Sequence, residues 1–147
     1  MALAPVRHTL RAVATTVIPE TASLDERTWS ELDDVIERAL AQRGERVQRQ
    51  LVTFLRLVQG LPVARFGKPF TSLDSARRTA VLESLERSRL LLIRRGFWGV
   101  RTLIFMAYYT RDDVRESIGY GPRPDGWVAR GGTFVSVPLS PQLWIEP

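Results

Sequence analysis

Apolar residues recur at intervals of three and four along the first 120 positions, and proline, glycine or small polar residues separate the runs. Leu10, Val13, Ala14 and Val17 share one side of a helix predicted over 7–17. Ile18-Pro19 ends it, because the residue before a proline disfavours helical backbone. Residues 20–25 read as a loop in which Thr21, Ser23 and Asp25 offer N-caps. Trp29, Leu32, Val35, Ile36, Ala39 and Leu40 stripe a second helix over 26–43, with Glu31, Asp33, Asp34, Glu37 and Arg38 on its other faces. A third, 45–59, carries Val47, Leu51, Phe54, Leu55 and Val58, with Gly60 as its left-handed closing residue and Pro62 just beyond.

Residues 61–73 form a connection pinned by Phe66 and Phe70. The fourth helix, 74–88, begins after Thr71 or Ser72, and Asp74 complements its positive end. Its expected buried side is Ala76, Ala80, Val81, Leu82 and Leu85, and 90–93 either extend it or open the next element. Gly96 and Gly99 bracket Phe97-Trp98 ahead of a fifth helix over 100–109. A short sixth, 112–118, takes its cap from Thr110 or Asp112.

Beyond Gly121 the periodicity stops. Five prolines and several glycines nearly exclude helix from 121–147, and 133–137 alternates enough for one short strand, which makes no sheet alone. This stretch nonetheless keeps Trp127, Phe134, Val135, Leu139, Leu143, Trp144 and Ile145, more large apolar groups than a disordered tail carries. The reading is an all-α protein: one compact helical domain of five or six helices (1–121) and an extended C-terminal arm (122–147) that packs on those helices or on another chain. At 147 residues one domain with a full core is expected.

Composition narrows the chemistry. The absence of cysteine excludes disulfides, thiol catalysis and cysteine-ligated metal clusters. The formal charge is +5, and Lys68 is the sole lysine, so the basic character is almost all arginine. Arginine suits bidentate contacts to carboxylates across protein interfaces, and equally nucleic acid. No apolar run approaches the roughly 20 residues of a membrane span. Arg7, His8 and Arg11 interrupt any secretory hydrophobic region, and no twin-arginine pair stands near the start. A cytoplasmic location is expected, or a periplasmic one if a partner carries the chain.

Catalytic patterns are missing. His8, the single histidine, has no carboxylate at i+4. Asp33-Asp34 and Asp112-Asp113 are adjacent pairs that diverge by about 100° on a helix, and Asp112-Asp113 suits a helix start. Gly119-Tyr120-Gly121 and Gly131-Gly132 lack the spacing and context of a phosphate or dinucleotide loop. Arg77-Arg78, Arg87, Arg89 and Arg94-Arg95, with Phe97 and Trp98, resemble a nucleic-acid surface, but Glu83 and Glu86 interleave them and Glu83 pairs with Arg87 at i+4. The chain alone is not expected to be an enzyme, to hold a cofactor or to bind a metal. Leu103, Ile104, Phe105, Met106, Tyr108 and Tyr109 cover nearly every face of 103–109. That helix is either a central core helix or one whose burial another protein completes, since aromatics and arginine dominate interface cores.

Three segments together resemble the gluconate 2-dehydrogenase subunit 3 family. They are the opening LRAVATTVIP (10–19), the middle FLRLVQGLPVARFGKPFTSL (54–73) with Arg77 and Leu82, and 101–122 with Tyr108-Tyr109-Thr110, Asp112-Asp113 and Ile118-Gly119-Tyr120-Gly121-Pro122. The resemblance implies a helical, non-catalytic accessory subunit. Its partner would be an FAD-dependent large subunit of the glucose–methanol–choline oxidoreductase class that oxidises a sugar, glycoside or alcohol. A cytochrome often takes the electrons. The small subunit would help the flavoprotein fold, stay soluble or be exported. Phe97, Trp98, Tyr108, Tyr109 and Tyr120, with Trp127, Phe134 and Trp144 of the arm, are the residues expected at that contact. The alternative is a stand-alone helical nucleic-acid-binding or regulatory module.

Overall fold

The computed structural model describes residues 3–119, and every regular element among them is helical. Helix α1 (Arg7–Val17) follows a 3-10 turn, Ala4–Val6, and leads into another, Pro19–Ser23. Then come α2 (Glu26–Ala41), α3 (Glu45–Gly60), the single turn α4 (Val63–Phe66) and the 3-10 turn Phe70–Ser72. Helices α5 (Ser75–Glu86), α6 (Leu91–Tyr109) and α7 (Asp112–Ser117) complete the described chain. The all-α class predicted from periodicity holds.

Helix α1 lies in the middle, packed against α3, α5 and α6. It therefore buries Leu10, Ala12, Val13 and Ala14 together, a broader face than a surface helix needs. Around it close Leu32, Ile36 and Leu40 of α2, Leu51, Leu55 and Val58 of α3, and Val81, Leu82 and Leu85 of α5. Polar side chains lock the layers. The Gln59 amide donates to Thr71 Oγ1 at 2.9 Å and its carbonyl accepts from Thr9 Oγ1 at 3.3 Å, tying α3 to α1 and to the Phe70 turn.

Two helix starts follow the cap rule. Asp25 accepts from the Thr28 N–H at 2.8 Å, and Asp74 accepts from the Arg77 N–H at 2.9 Å. The Thr28 contacts hold the Asp25 carboxyl below its ordinary range, and the Arg77 N–H does the same for Asp74. Their contribution is present above the unfolded carboxylate range and fades as pH falls through the lower folded values.

Several boundaries differ from expectation. Helix α2 stops at Ala41, and Gly44 becomes the N-cap of α3. Gly60 lies inside the last turn of α3; the left-handed glycines are Gly67, which closes α4 at φ 66°, and Gly119, after α7, at φ 69°. Ala76 and Ala80 face solvent, so α5 buries only Val81, Leu82 and Leu85. Helix α7 starts from Arg111 without a side-chain cap, with Asp112 and Asp113 in its first turn.

The largest difference is α6. It is one helix of 19 residues that passes through both Gly96 and Gly99. Gly96 and Gly99, expected ahead of the helix, lie inside it, and Gly96 marks an approach between helices. A Cβ there would lie 2.5 Å from Cδ2, 2.8 Å from Cε2 and 2.9 Å from Cγ of Phe54 on α3. Alanine normally stabilises a helix interior over glycine by roughly 1 kcal/mol. Here Gly96→Ala is expected to destabilise by about 1–2 kcal/mol, as overpacking against the ring outweighs that gain. In a Phe54→Ala background the same change should recover its ordinary stabilising sign. Urea unfolding of the four proteins checks this; a stabilising Gly96→Ala in the parent background would show that the approach is not tight.

Candidate functional site

Helix α6 presents two different apolar faces. Phe97, Val100, Ile104 and Ala107 point inward and are at most 4% exposed. Leu91, Arg95, Trp98, Thr102, Phe105 and Tyr109 follow one another at intervals of four, three, four, three and four, which keeps them in one line along the opposite side. On that line Leu91 and Trp98 are each 51% exposed and Tyr109 44%, with Met106 beside it and Phe105 half-buried. The line runs the full helix, about 28 Å at 1.5 Å per residue.

The ridge is pre-ordered by its own contacts. The Arg101 guanidinium lies 5.2 Å from the Trp98 ring and 5.2 Å from the Phe105 ring, while Glu86 holds its Nη1 at 3.2 Å. Phe105 stacks on Tyr109 at 5.9 Å, and Tyr109 meets Tyr108 edge-on at 5.3 Å. Arg111 continues the series 5.7 Å from Tyr108. Such contacts restrict rotamers before any partner arrives, so less entropy is lost on association. The helix carries no acidic residue, and Arg94 and Arg95 are exposed and form no ion pair among the described residues. Its first turn also lacks a side-chain cap. This end of the face is positive and apolar at once.

The expected contact residues divide accordingly. Trp98 and Tyr109 stand on the exposed ridge. Tyr108 is half-buried and lines a small pocket of about 10 Å³ with Leu10, Ala14, Thr21 and Trp29; burial pushes its phenol above the ordinary value. Phe97 is a correction: at 4% exposure it belongs to this chain's own core and offers nothing to a partner. Of the two readings of 103–109, a helix enclosed by this chain alone does not hold, because only Ile104 and Ala107 there are buried. Tyr120, Trp127, Phe134 and Trp144 lie outside the described residues.

A cluster of charged groups joins α1 to α2. Asp33, read from sequence as a solvated helix residue, is 5% exposed. Arg11 donates to its Oδ2 from Nη2 at 2.7 Å and from Nε at 3.2 Å, and Arg7 approaches at 3.5 Å. The Arg11 Nη1 also reaches both Glu26 oxygens at 2.9 Å, and its guanidinium lies 5.2 Å from the Trp29 ring. Burial works against the Arg11 charge, but hydrogen bonds to Asp33 and Glu26 overcome it and raise its pKa. The one legible hint was Arg7 and Arg11 at i, i+4 on a helix otherwise destined for the core. With its carboxylate covered by guanidinium, Asp33 clamps α1 to α2.

An open groove of about 590 Å³ lies between α2 and the α6–α7 corner, lined by Glu31, Asp34, Arg38, Thr110, Arg111, Asp112 and Asp113. Three of its carboxylates already meet arginines: Arg27 holds Glu31, Arg111 holds Asp113 and Arg115 holds Asp112. Among the described residues no group of three or more His, Cys, Asp or Glu is arranged to hold a metal, and no helix is long and apolar enough to cross a membrane. His8 is exposed on α1.

Residues 5–122 match the family model described as gluconate 2-dehydrogenase subunit 3. Neither the curated proteins nor the solved structures yielded a match.

Proposed function

The chain belongs to the gluconate 2-dehydrogenase subunit 3 family, and from that membership we propose that it is the non-catalytic small subunit of an FAD-dependent sugar, glycoside or alcohol dehydrogenase. The flavin resides in a large subunit of the glucose–methanol–choline type, and electrons leave that subunit, in some complexes to a cytochrome. The observation that carries this reading is the outer face of α6. It is a line of exposed Leu91, Trp98 and Tyr109 with half-buried Phe105, flanked by arginines and held by their ring contacts.

The mechanism is thermodynamic. A partner that binds only the folded flavoprotein stabilises it by an amount that grows with the logarithm of its concentration over Kd. Aromatic and arginine side chains give the most binding free energy per residue at interface centres. Tagged chain recovered from its native host should therefore bring down a larger protein with the visible absorbance of bound flavin. Trp98→Ala is expected to weaken that pair by about 2 kcal/mol, close to thirtyfold in Kd. Recovery of a colourless, monodisperse chain without a partner would count against the accessory-subunit reading. Salt-sensitive recovery of DNA or RNA in place of a flavoprotein would transfer the function to the nucleic-acid module.

A further inference from the structure

Resting on the accessory-subunit reading, we propose that the outer face of α6 seats a helix of the large subunit, laid along its length, with carboxylates set against Arg94 and Arg95. The spacing of the ridge is the first ground. Intervals of four and three are the seam against which a second helix packs, whereas an extended segment meets its partner with a period of two.

The second ground is a hole. Arg95, Trp98, Gly99 and Thr102 stand at i, i+3, i+4 and i+7, the four positions that surround one inserted side chain when helices interlock. Gly99 has open space where its Cβ would be, with no atom within 4 Å. It has none of the reason for being glycine that Gly96 has against Phe54. Within a helix a solvent-facing glycine costs stability, and a knob entering from outside accounts for it.

Charge selects among occupants. Helix α6 has Arg94, Arg95 and Arg101 and no acidic residue. A second copy would lay arginine against arginine along this face. This chain's residues 121–147 hold five prolines and cannot supply a helix of that length. A helix with carboxylates beside its apolar stripe meets both requirements.

The test uses the purified wild-type complex with its flavoprotein subunit. Gly99→Leu is expected to raise the Tm of the free chain, because the site is open, and to weaken the complex at least tenfold by filling the hole. Arg94→Glu with Arg95→Glu should weaken it as well. A photo-crosslinking residue at 102 or 109 should label one segment of the large subunit at positions three or four apart. Labelling at alternate residues, within 120–147, or on a second copy would overturn the proposal, as would Gly99→Leu with unchanged Kd. In each of those cases the flavoprotein complex still stands, so only the seat is lost. Failure of the wild-type chain to form any flavoprotein complex would overturn the accessory-subunit reading and this proposal together.

Discussion

Phe70→Ala is expected to destabilise the domain by about 4 kcal/mol, the largest loss from a single side chain in the described core. The ring is 0% exposed and sits in a 3-10 turn packed against both α1 and α3. Its backbone is fixed independently. Arg78 donates from Nε to the Phe70 carbonyl at 3.3 Å and from Nη2 to the Thr71 carbonyl, with its guanidinium 5.9 Å from the ring. Gln59 grips Thr71 from the other side. A turn so held cannot collapse into the space that alanine leaves, so the cavity term is felt nearly in full. Tm should fall by roughly 15–20 °C for a domain of this size. Phe70→Leu keeps much of the volume and should cost about 1.5 kcal/mol. A loss below that figure for Phe70→Ala, measured by urea or thermal unfolding, would mean that the turn relaxes and the pin is weaker than its burial suggests.

Phe70 illustrates which parts of the fold were legible. A phenylalanine between two helical patterns, directly after Pro69, has few places to go except inward. The helices α1, α2, α3 and α5 were readable for the same reason: a stripe at 3.6-residue period has to be buried against something. Phe66, chosen with Phe70, is only half-buried and is covered instead by the guanidinium groups of Arg65 and Arg77 at 5.3 and 5.7 Å. Local pattern says that an aromatic residue packs, not whether it packs on carbon or under arginine.

Helix α6 was misread where one-dimensional reasoning is weakest. Glycine lowers helix propensity, so Gly96 and Gly99 suggested a boundary. Propensity yields to tertiary contact, and Phe54, more than forty positions away in sequence, is what Gly96 answers to. The candidate site suffered from the opposite problem. A helix apolar all round reads as buried all round, and nothing in the sequence says which half is covered by this chain. The neighbours of α6 are α1, α2, α3, α5 and, at its C-terminal end, α7, and they bury the side of Phe97, Val100, Ile104 and Ala107. Trp98 and Tyr109 are therefore large side chains that this chain leaves exposed, while Phe97, one position from Trp98, is buried in its core.

The Arg11–Asp33 clamp gives the second large effect. Asp33→Ala is expected to cost about 3 kcal/mol, because it leaves the half-buried Arg11 guanidinium without its principal acceptor. Most of that loss is the penalty of an uncompensated charge, not the net worth of the pair. The discriminating protein is thus the double variant Arg11→Met/Asp33→Leu, which removes both charges and fills the space with carbon. It should recover much of the single-variant loss. Salt separates the contributions further. The Arg27–Glu31 pair on the outside of α2 is exposed on both sides and should be screened away at molar salt, whereas the Asp33 effect should persist. If Asp33→Ala instead costs less than about 1 kcal/mol, Glu26 has taken over the guanidinium, which it already contacts through both oxygens. The outer face of α6 provides an internal control, since it touches neither residue: partner affinity per folded molecule should be unchanged in the double variant. A fall in affinity without a fall in stability would mean that the tilt of α2 against α1, through the α2–α6 contact, also sets the position of the ridge.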